Sequence, residues 1–409
     1  MLYRRLSIIA VLVLSASAVS AAEPVELYVA ADGHDSWSGT QPRRKGDDGP
    51  GPFLTLQRAR DEIRKLKAAG NLSGGATVYV LKGTYEMPET LKFSAEDSAS
   101  AAAPVLFAAF ENEKPVLTGG RAITNFVKYN DEIYKANLGP LGLRNVHFRQ
   151  LFFEGARQHM ARYPNFDPAN PYGGGWAYVD GELIPMYKDV PGEDRRTLRY
   201  KAQDARNWSR PAEAEVLVFP RYNWWNNIVR IATVDKEERV IKLAADCSYP
   251  IRPFDRYFVR NVFEELDAPG EWYLEKESST LYFWPPQSIK PGSVYAPALQ
   301  TILEIENAAH IAFRGFTIEC CDGNAVVLKD STHCAISGCI IRNVGSRGDG
   351  GNSAVSVGGG TNNHIIGNDI YEVGGNAISL NGGDRKTLAP AGHVAENNYI
   401  HHTGVFYKQ

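Results

Sequence analysis

Apolar residues in the last quarter of the chain fall into columns. Placing Ile318, Ile341, Ile370 and Ile400 in register puts Gly315, Gly338, Gly367 and Asn397 three residues ahead of each. The isoleucines lie 23, 29 and 30 residues apart. A second column runs Asn324-Ala325, Ser353-Ala354 and Asn376-Ala377, each followed by alternating apolar positions: Val326 and Leu328, Val355 and Val357, Ile378 and Leu380. Alternation of this kind marks strands. Discounting extra residues at 346–351 and 383–390 leaves a unit of roughly 23 residues, within the range of solenoid repeats.

A unit of two short strands cannot bury an apolar face alone, so successive units must stack and pair with one another. The pattern therefore predicts an all-β chain wound as a parallel β-helix. The glycine column marks a turn with positive φ, and Asn397 is the residue type that best replaces glycine there. Asn324, Ser353 and Asn376 are expected to form a polar ladder along the coil axis, a structural use.

The rest of the chain departs from the repeat. Residues 1–22 read as a secretory signal, with Arg4 and Arg5 ahead of an apolar run from Leu6 to Val19 and small residues to Ala22. Residues 23–122 read as an N-terminal cap and first coil turns. Leu56, Ala59, Ile63 and Leu66 recur at helical spacing between Thr55, a plausible N-cap, and Ala68, and this helix is expected to close the end of the coil. Residues 123–297 carry dense aromatics and short alternating strands, including the hairpin-like Trp272–Glu275 with Thr280–Trp284, and read as an inserted antiparallel β-sandwich. The repeat resumes over 298–409. It stops in mid-rung, which predicts that the chain is a fragment of a longer product.

Charge and cysteine content narrow the function. A formal net charge of -3 offers no basic stripe for nucleic acid, and no later segment reads as a membrane span. The signal predicts export to the periplasm or outside the cell. The five cysteines are Cys247, Cys320, Cys321, Cys334 and Cys339, an odd number without a CxxC pair, which points to packing rather than a disulfide framework or zinc site. Asp32, Asp35, Asp47 and Asp48 form a loose acidic loop with a weak similarity to calcium loops; otherwise no cofactor is expected.

Candidate chemistry sits in the two insertions, because loops added to a repeat shape its binding surface. Asp349 lies in the first; Asp384, Arg385 and Lys386 lie in the second. Asp384 and Asp349 are the catalytic candidates, and Asp384 with Arg385 the candidates for substrate binding. Two carboxylates facing across a groove suit glycoside hydrolysis, whereas a lone loop aspartate commonly bonds its own turn. Trp224 and Trp225 offer faces for sugar rings, or belong to an ordinary core. His401 and His402, adjacent in a strand, are expected to point to opposite faces.

Several runs carry a family resemblance. Tyr28–Thr40 (YVAADGHDSWSGT), Gly51–Arg60, Lys114–Gly120, Arg149–Phe152, Ala161–Asn165, Glu271–Leu274, Thr280–Pro286 and Gly382–Arg385 resemble bacterial right-handed parallel β-helix proteins related to glycoside hydrolase family 141. The likeness spans essentially the whole chain after the signal. The chain is also similar in plan to family 120 β-xylosidases, which interrupt a β-helix with a sandwich. The resemblance implies a pectin-lyase-like solenoid and an exported enzyme that cuts fucosyl or xylosyl linkages of plant-type polysaccharides by a two-carboxylate mechanism. It also implies that the acidic pair comes from turns beyond Gln409. A polysaccharide lyase using calcium and the basic Arg385 or Lys386, and a non-catalytic glycan-binding protein, are the alternative functions on the same fold.

Overall fold

The computed structural model describes residues 22–46, 49–144, 146, 148–346 and 352–408. The predicted signal segment, apart from Ala22, and Asp47, Asp48 and Asp349 lie outside the described residues. Three parallel sheets form the coil. The first holds Val25–Val29, Ala76–Val80, Val105–Ala109, Ile311–Arg314, Ala335–Ser337, His364–Ile366 and Val394–Glu396. A second comprises Thr84–Glu86, Val116–Thr118, Thr317–Cys321, Ile340–Val344, Asp369–Val373 and Tyr399–His401. The third stacks Leu91–Phe93, Leu303–Glu306, Val326–Lys329, Ser353–Gly358 and Asn376–Asn381. The chain visits the three sheets in turn, so each rung is one circuit of a parallel β-helix.

The register follows the repeat. Ile318, Ile341, Ile370 and Ile400 are direct partners in the second sheet, and Leu117 and Tyr85 continue the column below them. The first three isoleucines are fully buried, while Ile400 on the last rung is 46% exposed. Gly315, Gly338, Gly367 and Asn397 all have positive φ, between 53° and 84°. The ladder also forms: Ser353 N donates to Asn324 Oδ1 at 2.7 Å and Ser353 pairs with Asn376. A further ladder, hidden in the sequence, stacks asparagines just after the glycine turn. Asn368 Oδ1 accepts from Cys339 N at 2.9 Å, and Asn398 Oδ1 accepts from Asn368 N at 3.0 Å. These side chains satisfy backbone donors that the turn leaves unpaired. All five cysteines are free and buried.

The helix Leu56–Ala68 caps the first rung as the spacing predicts. Thr55 Oγ1 accepts from Arg58 N, and Leu56, Ala59 and Ile63 are buried in the coil core. Asp35 fixes this cap: its Oδ1 accepts from Leu54 N and Thr55 N, and its Oδ2 from Thr55 Oγ1. Both oxygens are thus engaged in structure. Among the described residues no group of three or more His, Cys, Asp or Glu is placed to hold a metal ion, and no helix is long and apolar enough to cross a membrane.

The insert leaves the coil at the corner between the second and third sheets. Gly120–Ala122, immediately after Val116–Thr118, pairs with Val294–Pro297, and the coil resumes when Leu303 pairs with Leu91. Between these points the β-sandwich region is built from two sheets. The eight-stranded sheet runs from Gly120–Ala122 to Val127–Lys128 and encloses Leu151, Phe153, Trp272, Leu281 and Phe283. The second is organised about Arg256–Arg260 and Glu215–Val218 and has its own core of Val216, Val218, Ile231, Ile241, Tyr257 and Val259. The hairpin of Glu271–Glu275 with Thr280–Phe283 forms as the sequence pattern indicates.

Candidate functional site

A cavity of about 520 Å³ opens where the insert folds back over the second-to-third corner of the coil. Its coil wall includes one position of the repeat, two residues beyond the isoleucine column, as Asn343, Glu372 and His402; the same position one rung earlier is Cys320, which lies outside the lining. All four are left-handed, with φ of 59°, 52°, 50° and 62° in that order. The ladder skips this position, since Glu319 pairs with Arg342 and Cys321 with Val344, leaving Cys320 and Asn343 out of the pairing. The strand thus bends once per rung, and the bend carries Asn343, Glu372 and His402 to the cavity lining. Non-glycine residues in this conformation cost on the order of 1–3 kcal/mol each and gather at functional sites. Glu372 has less reason than asparagine or histidine to adopt it.

The insert supplies the opposite wall. Phe166, Tyr172, Trp176, Phe258 and Met160 give it apolar and aromatic surface. Trp176 packs against Phe258 at 5.2 Å between ring centroids, and its indole Nε1 is buried without a hydrogen-bond partner among the described residues. His159 stacks on Phe166 at 4.2 Å. Burial, and then Arg162, Arg157 and Lys408, pull the His159 imidazole down to about 4, so it is neutral at physiological pH.

Buried ion pairs brace the insert wall, and one arginine ties it to the coil. Glu215 accepts from Arg149 at 2.7 Å and from Arg260 at 2.9 Å. Burial alone would raise this carboxyl, but Arg260 and Arg149 outweigh it and hold Glu215 at about 2. Arg157 crosses from insert to coil: its Nη2 donates to the Glu372 carbonyl at 2.6 Å, its Nε faces the Glu372 carboxylate at 3.5 Å, and its Nη1 donates to Gln150 Oε1. Asn343 Nδ2 donates to the Gly155 carbonyl at 2.8 Å, and Asn226 Nδ2 to the Phe406 carbonyl at 2.9 Å. Glu372 is the one carboxylate among the described residues that line the cavity.

The structure places the residues expected from sequence elsewhere. Asp384 sits in the exposed stretch 381–390 at the third-to-first corner of the coil, between Asn376–Asn381 and Val394–Glu396, so neither it nor Arg385 lines this cavity. Its Oδ1 accepts from Lys386 N at 2.8 Å, and that backbone bond keeps the carboxyl below the usual carboxylate range. It caps its own turn. Trp224 is 57% exposed and Trp225 half-buried; Trp224 joins an aromatic cluster with Tyr222 at 5.0 Å and Tyr249 at 6.3 Å, outside the cavity lining. His401 and His402 overturn the expectation of opposed side chains. Because His402 is left-handed rather than extended, their rings meet and the two Nδ1 atoms lie 2.6 Å apart. Sequence reasoning missed Arg157, His159, Trp176 and Glu372. For Glu372 a signal existed, since the position two places after the isoleucine is polar in the last three rungs, as Asn343, Glu372 and His402.

The fold has known counterparts. A solved structure described as a glycoside hydrolase superposes with a TM-score of 0.74 at 18% identity, covering 93% of this chain and 74% of that one. At that identity the likeness establishes the fold. Two others align far more loosely. A complex of XylC with xylose gives a TM-score of 0.27 at 14% identity over 87% of this chain and 62% of that one. A Pseudomonas phage phi297 tailspike gives 0.15 at 11% identity over 85% and 60%. No protein-family model matches the chain, and no curated protein matches it.

Proposed function

We propose that this chain is an exported, carbohydrate-active protein that holds the end of an oligosaccharide in the cavity between coil and insert. The observation that carries the reading is the pairing of an aromatic wall around Trp176 with a polar column, Asn343, Glu372 and His402, across a cavity of about 520 Å³. Sugar rings present apolar faces that stack on aromatic side chains and hydroxyls that need directed hydrogen bonds. A volume of this order is also typical of small-ligand sites. The likeness to a solved glycoside hydrolase supports the same class.

The finer reading is hydrolysis of fucosyl or xylosyl linkages in plant-type polysaccharide by a two-carboxylate mechanism. Glu372 is one carboxylate in place, oriented by Arg157. A retaining or inverting reaction needs a second acid at a defined separation, and the described cavity lining does not contain it. A glycan-binding protein without hydrolysis is therefore the second reading, favoured by that single carboxylate.

Binding and reducing-end release on xylose- and fucose-containing oligosaccharides test both. Trp176→Ala is expected to weaken binding by ~10-fold or more, on the order of 1.4 kcal/mol. Release that disappears in Glu372→Gln supports hydrolysis at this site, and binding without release supports the second reading. Absence of saccharide binding to the wild type contradicts both.

A further inference from the structure

We propose that the cavity takes an anionic sugar, one bearing a carboxylate or sulfate group, held against Arg162 and Lys408. The inference rests on the saccharide reading above and adds the charge of the ligand.

Five cations line the cavity, Arg149, Arg157, Arg162, Arg260 and Lys408, against the one lining carboxylate, Glu372. Arg149 and Arg260 share Glu215 behind the wall, and Arg157 pairs with Glu372. Two cations then remain. Arg162 is only 8% exposed. Its Nε donates to the Pro164 carbonyl at 2.8 Å, its Nη2 to the Gly175 carbonyl, and its guanidinium lies 3.7 Å from the Phe258 ring centroid. Among the described residues no carboxylate reaches it within ion-pair distance. The Lys408 backbone N donates to Asn226 Oδ1, but its ammonium has no hydrogen bond or ion pair with the described residues. Burial lowers the Lys408 pKa, and Arg162 and Arg256 lower it further against a weaker pull from Glu372, so these like charges feel one another.

The nearby acid does not cancel them. Glu271 pairs in register with His159, but burial pushes its carboxyl up to about 8, leaving it largely protonated at neutral pH. Buried charges without a countercharge are costly, and an arriving anion reduces that cost while gaining charge-assisted hydrogen bonds. Aromatic residues beside the cations suit a ligand with an apolar ring face as well as a charge. A bare inorganic anion would leave that wall unused.

The test compares trigalacturonate with its methyl ester, and sulfated xylotriose with xylotriose, by titration calorimetry at low salt and at about 0.5 M salt. At least one anionic ligand is expected to bind ~10-fold or more tighter than its neutral counterpart, a preference that shrinks in salt. The pair that shows it separates carboxylate from sulfate. Lys408→Met is expected to reduce the preference to within ~2-fold while Lys408→Arg retains it. Equal binding of charged and neutral ligands, or a preference unchanged in Lys408→Met, overturns the inference and leaves the saccharide reading standing. If none of the four ligands binds, both fall.

Discussion

The coil and the insert solve the same problem, burying a large β-rich chain, with different chemistry. In the coil, equivalent positions of successive rungs stack on one another, as with Ile318, Ile341 and Ile370, and a ladder of buried asparagines bonds backbone groups one rung away. Its stability is distributed over near-equivalent neighbours. In the insert, stability is concentrated in pairs that do not repeat. Glu215 joins Arg149 and Arg260, and Trp208 Nε1 donates to Glu265 Oε1 at 2.7 Å. The cavity lies where the repetitive wall meets the singular one. A repeated scaffold offers a row of equivalent positions, and the insert selects which of them become a site.

The sharpest break in this comparison is a change at one charge. Glu215→Gln leaves two buried guanidinium groups without their shared carboxylate and is expected to destabilise the insert by about 3–5 kcal/mol. Ile341→Ala, a cavity in the middle of the coil, is expected to cost about 2–4 kcal/mol. Denaturant melts measure both, and tryptophan fluorescence is expected to follow the loss of the insert, which contains the buried Trp272. A smaller loss for Glu215→Gln than for Ile341→Ala would mean that the ion pairs do not dominate the insert.

Stability against pH sharpens the same contrast. Glu271 is raised by burial to about 8 in the folded chain, well above its ordinary value, and its Oε1 has no hydrogen-bond partner among the described residues. Over this interval the folded state holds a proton that the unfolded state has released. Stability therefore falls as pH rises from about 4.5 to about 8. Glu271→Gln is expected to flatten that slope and to be the more stable form at high pH by on the order of 1–2 kcal/mol. Glu215 acts in the opposite sense: held at about 2, it adds stability above its ordinary pKa that is lost as pH falls through about 4.5 towards 2. Melting temperatures across pH for the wild type and both variants check the two signs, and a Glu271→Gln profile parallel to the wild type would remove Glu271 from the account.

What could be read from sequence follows the same division. The coil register was legible because the Ile column and the Asn324, Ser353, Asn376 ladder each recur, so several rungs vote on one position. The helix Leu56–Ala68 was legible from its apolar spacing and its Thr55 cap. The cavity was not. Glu215 meets partners 66 and 45 residues away, and Arg157 meets Glu372 at a separation of 215. No local pattern encodes such encounters. Loop length pointed instead to Asp384, which the topology sets at a different corner from the insert. The bend at Asn343, Glu372 and His402 lay in the repeat all along, but strand alternation gives no sign that a residue will turn left-handed.

The smallest expected effect separates the corners. Asp384→Asn removes charge from an exposed turn and is expected to leave saccharide binding within ~2-fold and stability within ~0.5 kcal/mol of the wild type. A loss of ~10-fold or more in binding would restore the third-to-first corner as the ligand surface.

The most direct test is a crystal structure with a xylose- or fucose-containing trisaccharide bound. A sugar ring is expected between Trp176 and the Asn343, Glu372 and His402 column, in contact with both walls. A sugar bound instead on the Tyr222, Trp224 and Tyr249 cluster or beside Asp384, with the cavity vacant at saturating ligand, would contradict it.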